Sequence, residues 1–161
     1  MGKLKIEEGD LLKSDADLIC HQTYCTNQRS DALGLAKKIF DAEPSANVYI
    51  NRDRPSDVGT IKVIGKYVAL FAQYYPGPPR EEHDHAINRR LWFYQALSHL
   101  ELLVRPGQTV AFPELIGCDL AKGDPKEYNR ILTEFAARLP KDCTTILYRW
   151  APNAPKTGKD D

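Results

Sequence analysis

The 161-residue chain has no net charge, with 22 lysines and arginines set against 22 aspartates and glutamates. Without a positive field, a general polyanion binder and an anionic membrane surface are disfavoured, and an anionic ligand has to be held by local dipoles. No apolar run approaches bilayer-spanning length, and no apolar signal region follows Met1-Gly2-Lys3-Leu4-Lys5. The four cysteines, Cys20, Cys25, Cys118 and Cys143, lack C-x-x-C spacing, which suggests reduced thiols and a cytoplasmic protein. A Walker loop with G-x-x-x-x-G-K-S/T spacing is missing, and so is any internal repeat.

What is present centres on the stretch from Ala111 to Leu132. An apolar strand, Thr109 to Phe112, runs into a loop with Gly117 and Gly123. A helix then carries Tyr128, Ile131, Leu132 and Phe135 at helical spacing. Asp124 suits the N-cap, Pro125 the first helical position, and Glu127 stands three residues on. Glycines let the backbone turn with positive φ and approach a ligand, while unpaired N–H groups at a helix start favour an anion. The expected chemistry is phosphate or diphosphate binding by main-chain amides.

With 42% apolar and 27% charged residues, the chain reads as one globular domain. Lys3 to Ile6 is expected as an edge strand, Ala16 to His21 as a buried strand, and Ala32 to Phe40 as an amphipathic helix. The polar stretch from Gln22 to Asp31 is too long for a tight turn. It lies at a strand's carboxyl end, where open α/β sheets place ligand sites. Asn47 to Ile50 reads as a short strand. The runs on either side of Gly65-Lys66 read as a hairpin. From Glu81 a long helix is expected, buried along Ile87, Leu91, Tyr94, Leu97 or Ala96, and Leu100, with Arg89 and Arg90 outside; Pro106-Gly107 stops it. Thr144 to Trp150 is the last strand, and residues 151–161 read as a flexible tail. Interleaved strands and helices predict an α/β fold, a three-layer αβα sandwich around a mixed, mostly parallel sheet.

Five motifs in order, Gly9-Asp10-Leu11, Leu18-Ile19-Cys20-His21-Gln22, Gly34 to Phe40, Gly59-Thr60-Ile61, and Phe112-Pro113 with Ile116 to Asp124, resemble those of a macro domain. The resemblance covers residues 3 to 150, within a domain taken as 1–150. It implies a module that binds ADP-ribose or a derivative. It is most similar to the compact branch that includes ADP-ribosyl-glutamate hydrolases and ADP-ribose 1''-phosphate phosphatases. The implied partner is an ADP-ribose-type small molecule or an ADP-ribosylated macromolecule, with no cofactor, no metal and no membrane. Nucleic acid enters only if it is itself ADP-ribosylated, and a monomer is expected.

Carried over by position, the resemblance makes Asp10 the acceptor for the adenine amino group and packs Leu11 beside the base. The loop with Ile116, Gly117, Cys118, Leu120, Ala121 and Gly123 then cradles the diphosphate and the distal ribose. His21, Tyr24 and Gly34 are counted with the binding residues, and either Tyr148 or Trp150 stacks on adenine. The departures are specific. Tyr24 stands where many members have an Asn that orients the distal ribose. The first loop, Asn27 to Gly34, keeps one glycine where several are usual, and Asp119 and Lys122 replace glycines in the second.

Three catalytic readings are open. Asp119 is a candidate general base on water attacking the anomeric carbon, a role suited to a partly desolvated carboxylate. Lys122 is a candidate for a Schiff base with an opened ribose. The branch that uses such a lysine carries it after the hairpin, where this chain has Gln73-Tyr74-Tyr75. The third reading is capture without chemistry. His83-Asp84-His85 reads as a solvated first turn rather than a metal site. His21 with Cys20, Cys25 and Cys118 reads as buried strand residues rather than zinc ligands, and Arg52, Arg54, Arg89 and Arg90 read as surface.

Overall fold

The computed structural model describes residues 2–27, 31–80 and 82–150. The tail expected over 151–161 lies outside them. Strands β1 (Lys3–Gly9), β2 (Leu18–Tyr24), β3 (Ile61–Ile64), β4 (Tyr67–Gln73), β5 (Thr109–Pro113) and β6 (Thr144–Trp150) form one sheet in the order β1-β6-β5-β2-β4-β3. Only β3 and β4 pair antiparallel, through the hairpin turn at Gly65, whose φ of 61° suits a residue without Cβ. All other pairings are parallel. The edge position of the first strand, the hairpin and the mixed, mostly parallel sheet agree with the sequence.

Helices α1 (Gly34–Ala42), α2 (Ala86–Glu101) and α3 (Pro125–Arg138) complete the three layers. Side-chain alternation along the strands divides the core. Cys20, Val68, Leu70, Val110, Phe112 and Leu147 point toward α2 and α3. On the opposite face Ala69 and Phe71 meet α1 and the segment around Val48, while Ile19, Ala111 and Ile146 pack under Leu11. α3 starts as its sequence requires, with Pro125 at the first position and the Asp124 carboxylate accepting the Lys126 N–H at 3.0 Å.

Three expectations are corrected. Asn47 to Ile50 forms no strand. Pro44 opens a 3-10 turn, Asn47 Oδ1 accepts the Tyr49 N–H at 2.9 Å, and Val48 and Tyr49 are buried against α1. α2 begins at Ala86 and ends at Glu101, short of Pro106, and its buried face is Arg89, Phe93, Ala96, Leu97 and Leu100. Ile87, Leu91 and Tyr94 face solvent at 67%, 50% and 45% exposure, so the outer stripe was apolar and the inner one contained an arginine. Asp84, expected on a solvated turn, is fully buried as the partner of Arg89.

Candidate functional site

A cavity of about 760 Å³ opens at the carboxyl ends of the five parallel strands, where an open α/β sheet leaves room between diverging loops. Gly9, Gln22, Gln73, Pro113 and Trp150 mark where the strands reach it. The turn after β1, the start of α1, and the loops after β4 and β5 complete the wall.

The loop after β5 decides what the cavity can hold. Ile116, Cys118, Lys122 and Gly123 donate their N–H groups to Pro113, Leu115, Asp119 and Gly117 carbonyls at 3.1, 2.8, 3.2 and 2.8 Å. Among the described residues, the amides of Gly117, Asp119, Leu120 and Ala121 have no such acceptor, and all four residues line the cavity. Gly117 has φ 76°, and a Cβ on it would lie 2.4 Å from the Tyr128 ring; a Cβ on Gly123 would lie 2.4 Å from the Gly117 carbonyl. The loop is wound tightly enough that both positions demand glycine. Buried Ile116 anchors it. Across the cavity α1 begins without a side-chain cap, and Gly34, at φ 60°, packs against Leu120. The cavity therefore presents amides from a loop and from a helix start. At α3, by contrast, the Asp124 carboxylate caps the amino end, so the amides without such an acceptor lie in the preceding loop rather than at the helix start.

At the other end, Asp10 Oδ1 accepts the Leu12 N–H at 3.0 Å and so caps the Leu11–Lys13 turn, with Leu11 buried beneath it. Of the two aromatic candidates, Tyr148 is buried and donates its hydroxyl to Ser14 Oγ at 2.9 Å, whereas Trp150 is 56% exposed with Lys38 Nζ 4.5 Å from its ring centre. Trp150 is the one with an open face. Cys118 and Gly123 do not reach the lining; burial pushes the Cys118 thiol up to about 11, with the Asp124 charge adding to it. Asp119 and Lys122 reach it as exposed side chains, so the partly desolvated Asp119 expected from the sequence is absent.

Tyr24 takes up the space beside the first loop. Its ring stacks on Tyr49 at 3.9 Å between centroids, and its hydroxyl donates to the Asp31 carbonyl at 2.6 Å. Arg52, read as surface, donates to the Cys25 and Thr26 carbonyls at 2.9 and 2.7 Å and fixes the same loop from outside. His21 is buried edge-on to Phe40, its Nδ1 without a partner among the described residues, and burial lowers its pKa to about 4. Gln22 and Gln73, which the sequence did not count among the binding residues, are linked: Gln22 Nε2 donates to Gln73 Oε1 at 2.7 Å, and Gln73 Nε2 to the Tyr75 carbonyl at 2.8 Å.

No protein-family model matches the sequence, and no curated protein does. Solved structures do. The macrodomain of Mycobacterium tuberculosis DarG superposes with a TM-score of 0.71 over 92% of this chain and 99% of its own, at 15% identity. The macrodomain of Thermus aquaticus DarG gives 0.68 over 91% and 99%, at 17% identity. The fold is that of a macrodomain. A protein of unknown function from Bacteroides thetaiotaomicron has it too, with a TM-score of 0.63 over 91% of this chain and 98% of its own, at 16% identity.

Within this fold, no group of three or more His, Cys, Asp or Glu among the described residues is arranged to hold a metal. The thiols of Cys20 and Cys25 are both pushed up by burial, Cys25 to about 12, as befits core residues. No described helix is long and apolar enough to cross a membrane.

Proposed function

We propose that this macrodomain binds ADP-ribose, or a molecule carrying an ADP-ribosyl group, across the carboxyl ends of its parallel strands. The observation that carries this reading is the set of four amides, at Gly117, Asp119, Leu120 and Ala121, that have no acceptor among the described residues and belong to cavity-lining residues. Gly117 and Ala121 are buried while Asp119 and Leu120 are exposed, and a diphosphate supplies acceptors to such a set without any need for net positive charge. Asp10 then takes the adenine amino group, Leu11 and Trp150 flank the base, and the distal ribose faces Gly34, Tyr24 and Asp119. The ligand is either free or attached to a macromolecule.

Calorimetric titration with ADP-ribose tests it. Wild type binds, and Asp10→Ala weakens binding roughly ten- to a hundredfold, the range for a hydrogen bond to a charged group. Absence of binding by wild type removes ADP-ribose as the ligand.

Hydrolysis is the second reading, favoured by one feature: Asp119 puts a carboxylate in the wall beside the amides. Near a diphosphate it repels, so its presence calls for another use. As general base it takes a proton from water while the water oxygen bonds to the anomeric carbon and the leaving group departs with the bonding electrons. Lys122 is less suited to imine chemistry, being exposed rather than in the dry surroundings such a lysine uses. Incubation with ADP-ribose 1''-phosphate and with an ADP-ribosylated glutamyl peptide should release phosphate or free ADP-ribose, and Asp119→Asn should bind at least as tightly while losing turnover about a hundredfold or more. If neither substrate turns over, the macrodomain is a reader or a sequestering module.

A further inference from the structure

Arg89 lies in the first turn of α2 and is 1% exposed, the largest polar side chain in the interior. Its guanidinium makes more bonds than a salt bridge requires. Nε and Nη2 donate to the two oxygens of buried Asp84 at 2.7 and 2.5 Å. Nη2 also donates to the Tyr75 and Pro78 carbonyls, both at 3.1 Å, and Nη1 to the Gly77 carbonyl at 2.7 Å and the Ala121 carbonyl at 3.4 Å. Asp84 in turn accepts the Tyr74 and Tyr75 N–H groups at 3.2 and 2.9 Å.

The acceptors belong to two different loops. Pro76, Pro78 and Pro79 strip the loop after β4 of N–H donors, so its inward carbonyls need a donor from elsewhere. Ala121 belongs to the loop after β5 that carries the amides without acceptors among the described residues. The peptide joining Ala121 to Lys122 is held at both ends, its carbonyl by Arg89 and its N–H by the Asp119 carbonyl at 3.2 Å. Lys122 keeps the left-handed φ of 60°, uncommon for a residue with a side chain, and the next amide, Gly123, closes on Gly117. With the Ala121 carbonyl drawn toward α2, the Leu120 and Ala121 amides at the cavity wall are left without acceptors among the described residues.

We propose that Arg89 is the positioning residue of the ligand site. Its planar fork joins the loop after β4 to the loop after β5 and sets the direction of the amides that receive the diphosphate. This rests on the reading that the cavity takes an ADP-ribose-type ligand. Lysine keeps the charge beside Asp84 but has one donor centre and cannot span both loops. The site has two ends, and Arg89 acts at one of them, since Asp10 and Leu11 belong to the turn after β1.

The test compares wild type and Arg89→Lys for ADP-ribose and for adenosine, which lacks the diphosphate, with unfolding curves to establish that the variant folds. The expected result is a variant with cooperative unfolding whose Kd for ADP-ribose rises about tenfold or more while that for adenosine stays within about twofold. An unchanged Kd for ADP-ribose, or equal losses for both ligands, overturns the proposal. Should Arg89→Lys not fold, wild type decides through the Arg89 Nε–H resonance. A shift on adding ADP-ribose but not adenosine supports the positioning role; no shift, or the same shift with both, overturns it. If wild type itself does not take ADP-ribose, the reading of the cavity fails and this proposal falls with it, an outcome distinct from wild type and variant binding equally.

Discussion

His21 is an uncharged side chain at neutral pH, because burial lowers its pKa from 6.5 to about 4. In the unfolded chain it gains a proton on acidification near pH 6.5, but the folded protein resists that proton until about pH 4. Between those values the unfolded state binds more protons, so stability falls as pH drops through the window. From neutral pH to about 4.5 the loss from this residue is roughly 2 kcal/mol. Urea denaturation of wild type and His21→Leu at both pH values checks it: the variant should lose less stability by about that amount. Equal losses would mean that His21 is protonated in the fold. Asp10, Gly117 and Gly34 were legible in the sequence as residues with a turn or a close approach to make. Arg89 was not. An arginine next to another arginine reads as solvent-facing because its desolvation is costly, and the compensating Asp84 sits among histidines that draw attention to metals. The signal available was indirect: three prolines within four residues leave carbonyls that the local backbone cannot satisfy.

At the scale of elements, α3 and the hairpin were readable because a cap, a proline and a two-residue glycine turn act locally. α2 was misread because the periodicity of its apolar residues follows the solvent face. Phe93, Ala96, Leu97 and Leu100 repeat correctly for a core stripe, yet Ile87, Leu91 and Tyr94 repeat equally well, and only the sheet chooses between them. The consequence is measurable by chemical denaturation. Phe93→Ala, removing a side chain with no exposed surface, should cost about 3–5 kcal/mol, whereas Leu91→Ala should change stability by no more than about 0.5 kcal/mol. Comparable losses for the two would reverse the orientation of the helix. Asn47 to Ile50 misled for a different reason. Val48 and Tyr49 are buried as a strand's side chains would be, while Ile50 is exposed and an Asx turn consumes the backbone.

For the molecule as a whole, the fold was legible from the alternation of strands and helices, while the site was legible only as positions around a strand-end cavity. The segments that follow β1, β2, β4 and β5, together with the carboxyl end of β6, all contribute to the wall, so a ligand bound there would touch segments on both faces of the sheet. It should stabilise the whole fold. Free ADP-ribose at about a hundred times its Kd adds roughly 2.7 kcal/mol, and for a domain of this size that raises Tm by about 5–10 °C. Scanning calorimetry should give one sharpened transition at the higher temperature; an unmoved Tm under those conditions speaks against binding to the native state.

The first and last strands lie side by side and run the same way, Lys3 opposite Thr144 and Gly9 opposite Trp150. Their seven residues span about 20 Å at the usual rise per strand residue. The amino end of the domain thus emerges on the side away from the strand-end cavity, and Trp150 lies on its rim. A surface or reporter tethered ahead of Lys3 leaves the mouth of the cavity facing outward, open to a large partner; one tethered through Trp150 stands at the entrance.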